Sequence, residues 1–221
     1  MAIADPLQRL VADVIRSQPH GSVLDAGCGQ GALATELTEA GFRVTASDID
    51  PATYQGTAAF RKADLNEKLP FKDKSFQYLT CVEVIEHLES PWQLIREFAR
   101  VLKPNGLLVL TTPNITSTFS RLKFLLTGTF FCFSPAERES KFGHINALPY
   151  WEIETILQAS GFRVEQRTTQ RSFGLCGLET GKTKTKRFAV RIAHAILSPF
   201  IHPKDHTLLT GDNLVYVCRK E

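Results

Sequence analysis

Paired cysteines are missing from this chain. Cys28, Cys81, Cys132, Cys176 and Cys218 are scattered, with no C-x-x-C pair, which excludes a disulfide framework and fits a reduced cytoplasmic protein. No apolar run approaches the roughly 18 residues that a membrane-spanning helix needs. The first residues, MAIADPLQRLVADVIRS, are mixed in charge and helical in period. They lack the basic and uninterrupted apolar regions of a signal peptide, and none is expected. No segment repeats, and none reads as a second domain.

What is present is enough for one core. The 221 residues are 43% apolar, as in an ordinary globular domain. The net charge of +3 hides an asymmetry: residues 161–221 carry 11 basic and 5 acidic side chains, while the first 160 residues are net negative. A basic C-terminal part points to an anionic substrate or surface nearby.

Strands and helices alternate along the first half. Helical period runs from Leu7 to Ser17, Ala32 to Ala40 and Pro91 to Leu102, the last stopped by KPNG. A short helix is expected after Pro51. Strand patterns cover Ser22–Ala26, Phe42–Ser47, Phe60–Asp64, Phe76–Glu83 and Leu107–Thr112. This alternation predicts crossover units and a mostly parallel α/β sheet with helices on both faces. Beyond Pro113 the pattern predicts helices over Ile115–Leu126, Tyr150–Ser160 and Lys186–Ile201, and strands over Phe162–Thr168 and Leu214–Arg219. The aromatic-rich stretch 127–145 reads as a loop, and the Gly-, Thr- and Lys-rich stretch 170–184 as mobile.

The stretch VLDAGCGQG raises the functional question, because three glycines stand between a strand and a helix. Such a turn lets backbone N–H groups approach a ligand closely. GCGQGA also fits the dinucleotide fingerprint G-x-G-x-x-A, so the glycines alone leave a dehydrogenase open. The flanking carboxylates decide. Asp25 precedes the glycines at the strand end, where it suits a cation better than a pyrophosphate. Asp48 ends the second strand, where it can take two ribose hydroxyls. Asp64 follows the third strand and can accept from an adenine amino group, with the Leu65 N–H beside it. Together they suit a nucleoside with a cationic amino-acid tail and no phosphate.

With these residues the chain resembles the class I S-adenosylmethionine-dependent methyltransferases. VLDAGCGQG, VTASDID, ADLNEKLPF, SFQYLTCVEVIEHLESP and RVLKPNGLLVLTTPN stand in family order and spacing. Gln77 departs from the usual Asp, at a position that supports the fourth strand. The resemblance implies a Rossmann-like seven-stranded sheet with one antiparallel C-terminal strand, and S-adenosyl-L-methionine as cofactor, with S-adenosyl-L-homocysteine as product. It implies that Asp25 holds the methionine ammonium and that Ala26 belongs to the cofactor contacts. Gly27, Cys28 and Gly29 would line the methionine and ribose. Asp48 would bind the ribose diol, with Ile49 against the adenine and Asp64 and Leu65 at the adenine edge. The backbone near Cys81 and Val82 would meet the ammonium from the other side.

Methyl transfer from a sulfonium needs alignment above all, and a general base when the acceptor is a hydroxyl. His87 and His144 are the catalytic candidates. Glu83, Glu86, His87 and His144 also reproduce the Glu-x-x-Glu-His…His pattern with which small-RNA 2′-O-methyltransferases hold a divalent ion. The surrounding residues of that family are absent, so no metal is assigned, and metal-assisted RNA methylation stays an alternative. The later half is similar to a group containing the ubiquinone-biosynthesis O-methyltransferases and bacterial polysaccharide-associated methyltransferases. That resemblance places a substrate lid around 115–150, containing His144 and sealed by Phe130, Phe131 and Phe133. It implies O-methylation of a small-molecule, glycan or lipid-linked acceptor, with no DNA partner. Lys186–Ile201 is basic and amphipathic, suited either to packing as a lid or to peripheral membrane contact.

Overall fold

The computed structural model describes residues 5–135, 143–170 and 206–221. Helix α1 spans Pro6–Arg16. The Asp5 carboxylate caps it, accepting from the Leu7 N–H at 2.9 Å, with Pro6 in the first turn. An N-cap of this kind satisfies a donor that the helix itself cannot. Leu7, Val11, Ala12 and Ile15 form its buried stripe. Strand β1 is Ser22–Ala26, α2 is Ala32–Glu39, β2 is Arg43–Asp48, β3 is Ala59–Lys62 and β4 is Phe76–Val82. Helix α3, Pro91–Val101, leads into β5, Leu102–Pro113. Then come α4, Thr118–Thr127, α5, Tyr150–Ala159, β6, Phe162–Gln170, and β7, Asn213–Lys220.

The seven strands lie in the order β3-β2-β1-β4-β5-β7-β6. All pairs are parallel except those of β7, which runs antiparallel to both β5 and β6. Alternation along each strand feeds two cores. From β1, Val23 enters the core shared with α1 and α2, where Val44, Tyr78 and Val109 also lie. Its neighbour Leu24 enters the other, with Leu79, Ile95, Phe98 and Tyr216. Phe98 is fully buried. Phe98→Ala is expected to cost about 3–5 kcal/mol through lost burial and the cavity left behind, read as a fall of about 10 °C in the thermal midpoint.

Two expectations are corrected. After Pro51 the chain makes turns over 51–53 and no helix; the Asp50 carboxylate accepts from the Ala52 N–H at 3.0 Å, an Asx turn that competes with helix formation. KPNG ends α3 as read, but strand pairing begins at once: Phe76 pairs with Leu102 and Tyr78 with Leu107. KPNG therefore bulges out inside β5, with Asn105 at φ 59°. The stretch after β4 forms a 3-10 turn over Ile85–His87. The expected mobile stretch 170–184, beyond Gln170, and the helix Lys186–Ile201 lie outside the described residues. Gln77 sits where expected, its Oε1 accepting from the Ser22 N–H at 3.2 Å at the start of β1.

Strand order reverses at β1 and β4, because β1 leads out to β2 on one side while β4 leads to β5 on the other. In open parallel sheets such a switch point leaves a crevice outside the carboxyl ends of the strands.

Candidate functional site

A cleft of about 660 Å³ occupies that crevice. Its walls come from the residues that follow β1, β2, β3 and β4. Gly27, Gly29, Asp48, Ile49, Asp64 and Leu65 all line it, as does His87 at one end. Asp25, Ala26, Cys28, Cys81, Val82 and His144 are not part of the lining. Sequence reading did not single out Gln30, Asn66 and Val84, which stand inside the quoted motifs, nor Thr53, which stands outside them; all four line the cleft.

The glycine turn is built backbone-first. Gly27, Gly29 and Gly31 have φ of 75°, 51° and 85°, in the left-handed region that glycine enters without penalty. The N–H groups of Gly27 and Cys28 donate to the Ser47 carbonyl at 2.8 and 3.0 Å, locking the turn to the end of β2. A Cβ on Gly27 would stand 2.3 Å from Val84 Cγ2, whereas one on Gly29 would meet nothing within 4 Å.

Asp48 is fixed by the same turn. Its Oδ2 accepts from the Gly29 N–H at 2.9 Å and its Oδ1 from the Asp50 N–H at 3.2 Å. The next side chain, Ile49, is 44% exposed at the cleft, an apolar surface open to a flat ring. Asp64 is oriented by the Asn66 N–H, which donates to Oδ1 at 2.9 Å.

Asp25 lies behind the turn and is buried. Thr80 Oγ1 donates to its Oδ1 at 2.8 Å, while Oδ2 has no hydrogen-bond partner among the described residues. Burial pushes its carboxyl up to about 6, against the pull of the Thr80 bond, and the Asp48 charge adds to the rise. Burial also pushes the Cys28 thiol up to about 12, which suits a space-filling residue and not a nucleophile.

The opposite end is built from the 3-10 turn and the residues that meet it from the segment 130–146. Glu83, at φ 55°, also lines the cleft. Its Oε1 accepts from Thr111 Oγ1 at 2.9 Å and its Oε2 from Asn213 Nδ2. Glu86 is fully buried, with Oε2 accepting from Thr112 Oγ1 at 3.0 Å. Burial holds both carboxyls above the usual range, and for Glu83 the Glu86 charge adds to it. His144 does not cap α5, whose N-cap Pro149 has no side-chain cap. Its ring stands edge-on to His87, with centroids 4.6 Å apart. Phe133 packs on His144 at 5.2 Å, Phe131 is buried against Phe119, and Phe130 stacks on Phe124 at 4.3 Å. Of the four residues in the metal-assisted alternative, Glu86, His87 and His144 converge, with ligand atoms all within 4.8 Å of one another. Glu83 is not in the group.

A family model described as a methyltransferase domain matches residues 2–167. The ubiquinone biosynthesis O-methyltransferase of Rickettsia conorii is 37% identical over 103 residues, covering 42% of this chain and 35% of that protein. The enzyme of the same name from Xanthomonas oryzae pv. oryzae is 36% identical over 104 residues, covering 42% of this chain and 44% of that one. The matched region thus spans less than half of either relative. Among solved structures, a SAM-dependent methyltransferase from Archaeoglobus fulgidus superposes with TM-score 0.65 at 20% identity, covering 96% of this chain and 94% of that one. A possible histamine N-methyltransferase from Thermotoga maritima superposes with TM-score 0.65 at 17% identity, covering 97% and 89%. At these identities the superpositions speak for the fold alone.

Proposed function

The chain belongs to the S-adenosylmethionine-dependent methyltransferases, with S-adenosylmethionine as its cofactor, and we propose that it methylates a hydroxyl oxygen of a small-molecule, glycan or lipid-linked acceptor. The observation that carries this reading is the cleft end where Asp48 is clamped by the Gly29 N–H beside the exposed Ile49. A carboxylate there accepts two ribose hydroxyls, and no Lys or Arg among the described residues lines the cleft to hold a pyrophosphate. The fit extends to Asp25, a buried carboxylate in the strand that leads into the glycine turn, which suits an ammonium group. The curated relatives are named for O-methylation in ubiquinone biosynthesis. A glycan or lipid-linked acceptor rests on the basic residues 161–221.

When bound, the cofactor supplies an electrophilic methyl group on a good, neutral leaving sulfur. The protein supplies alignment. Asp48, Ile49, Asp64 and Leu65 anchor the nucleoside end, and Asp25, through the glycine turn, fixes the amino-acid end. Cys28 fills space beside the turn, and the strand-end backbone at Ala26, Cys81 and Val82 backs it. His87 and His144 meet the acceptor hydroxyl, and the segment 115–150 covers the acceptor as a lid on a single domain. No helix among the described residues is long and apolar enough to cross a membrane. A cytoplasmic enzyme that touches a membrane peripherally through Lys186–Ile201 fits this reading, on sequence grounds.

The raised Asp25 carboxyl fixes a pH dependence. Its pKa rises from 3.8 to about 6 on folding, so the folded chain holds an extra proton between those values. This group's contribution to stability therefore falls as pH rises through that window, by about 3 kcal/mol in all. A bound ammonium relieves the charged form. S-adenosylmethionine affinity is thus expected to be flat above pH 6 and to weaken up to about tenfold per pH unit below it. Isothermal titration from pH 5 to 8 checks this; Asp25→Asn should bind more weakly at pH 7 and lose the slope. A wild-type affinity independent of pH removes Asp25 from the cofactor contact.

A further inference from the structure

We propose that Asn66 is a positioning residue that ties the adenine end of the cleft to its acceptor end, so that a bound nucleoside steadies the turn carrying His87 and the loop carrying His144. The inference rests on the placement of the adenine at Asp64 and Leu65.

Asn66 bonds in two directions. Its backbone N–H donates to Asp64 Oδ1 at 2.9 Å, orienting the carboxylate at the adenine edge. Its side-chain Oδ1 accepts from the Glu89 N–H at 2.8 Å, where the turn after β4 leads into α3. One residue thus joins the loop after β3 to the turn after β4, and both Asn66 and His87 line the cleft. Farther along, the same loop is anchored on α3. The Leu69 N–H donates to Glu97 Oε2 at 2.8 Å, and Arg100 donates to the carbonyls of Leu69 and Phe71 at 3.0 and 2.8 Å. With that end fixed, the Asn66 bond sets where the cleft end of the loop stands against the turn.

The turn 84–89 passes the constraint on. On one side Val84 packs against the glycine turn, close enough that a Cβ on Gly27 would stand 2.3 Å from it. On the other, its carbonyls hold the later loop. The N–H groups of Ile145 and Asn146 both donate to the Glu86 carbonyl at 2.9 Å, and Asn146 Nδ2 donates to the Leu88 carbonyl. His87 Nδ1 lies 3.3 Å from the Gly143 carbonyl. These bonds lie near the surface: Gly143, His144 and Asn146 are half-buried, and Ile145 is exposed. Segments held in this way open locally, at a cost well below that of global unfolding. The Asn66–Glu89 bond is likewise open to water. A nucleoside seated on Asp64 and Leu65 excludes that water, and a hydrogen bond in drier surroundings is stronger. Cofactor binding and loop closure then favour each other, because coupling between two sites is reciprocal. The acceptor end is ordered once the cofactor is in place, so the cofactor binds before the acceptor.

The test is hydrogen exchange read at single amides by NMR, on the full chain, with and without saturating S-adenosylhomocysteine. In wild type the ligand is expected to slow exchange at Ile145 and Asn146 by about tenfold. In Asn66→Ala this gain should vanish, while the amides of the β4–β5 ladder stay protected and show the fold intact. Asn66→Asp, which retains an oxygen to accept from the Glu89 N–H, should restore it. A purely structural role would change exchange equally with and without ligand, and would leave the gain in place. A gain in Asn66→Ala equal to that of wild type therefore overturns the inference. So does a wild type that binds the ligand, by calorimetry on the same sample, with no gain at Ile145 and Asn146. If wild type does not bind S-adenosylhomocysteine at all, the adenine placement falls and this inference falls with it.

Discussion

Asp48→Ala is expected to weaken S-adenosylmethionine binding by about 100-fold or more, leaving the fold intact. Two hydroxyl donors to one carboxylate are worth about 1.5 kcal/mol each at the low end, and about 3 kcal/mol is a hundredfold in affinity. The fold survives because the side chain's partners within the protein, the N–H groups of Gly29 and Asp50, border the cleft and can turn to water. Calorimetric titration measures the loss, and circular dichroism checks the fold. An Asp48→Ala variant that binds as wild type does would remove the ribose from this position.

Gly27→Ala carries the second large effect, on stability. The backbone φ of 75° costs a residue with a side chain about 1–2 kcal/mol. The added Cβ would stand 2.3 Å from Val84 Cγ2 and 3.1 Å from Cγ1. Valine is stiff at χ1, so relief requires movement of the chain, at about 1–3 kcal/mol more. A loss of about 2–5 kcal/mol lowers the thermal midpoint by about 10 °C. Gly29→Ala separates the steric part from the functional part. Its φ of 51° carries strain, but no atom lies within 4 Å of the new Cβ. It should lose less stability than Gly27→Ala while still obstructing the cleft that Gly29 lines. Scanning calorimetry on both variants, followed by cofactor titration, reads the two effects apart. Equal destabilisation by both would mean that the Val84 contact contributes nothing.

Local signals carried most of the fold. The boundaries of β1 coincide with the expected Ser22–Ala26, because an apolar run met an unmistakable glycine stop. Helices α1 and α3 were legible from their helical period, and each starts with Pro behind a side-chain cap. The cofactor end was legible for the same reason: Asp48 and Asp64 fall beside strand ends that the sequence marks. The failures lie where long-range pairing decides. Nothing local distinguishes the KPNG bulge inside β5 from an ordinary turn between a helix and a strand, because the β4 ladder sets the register. In CVEVIEHLES, Glu83 and His87 stand four residues apart, the spacing of one helix face. The left-handed φ at Glu83 and the 3-10 turn after it send Glu83 to Thr111 and Asn213, and Glu86 to Thr112. The meeting of His144 with His87 depends on the loop tied to the Glu86 carbonyl, a contact with no trace in either motif.

A crystal structure with S-adenosylhomocysteine bound tests the central claim most directly. The account predicts the ribose hydroxyls on the Asp48 carboxylate, the adenine against Ile49 with its amino edge at Asp64, and the amino-acid end at the glycine turn over Asp25. A well-ordered cleft that stays empty at saturating ligand, or that takes a nicotinamide dinucleotide with its pyrophosphate on Gly27–Gly29, would contradict it.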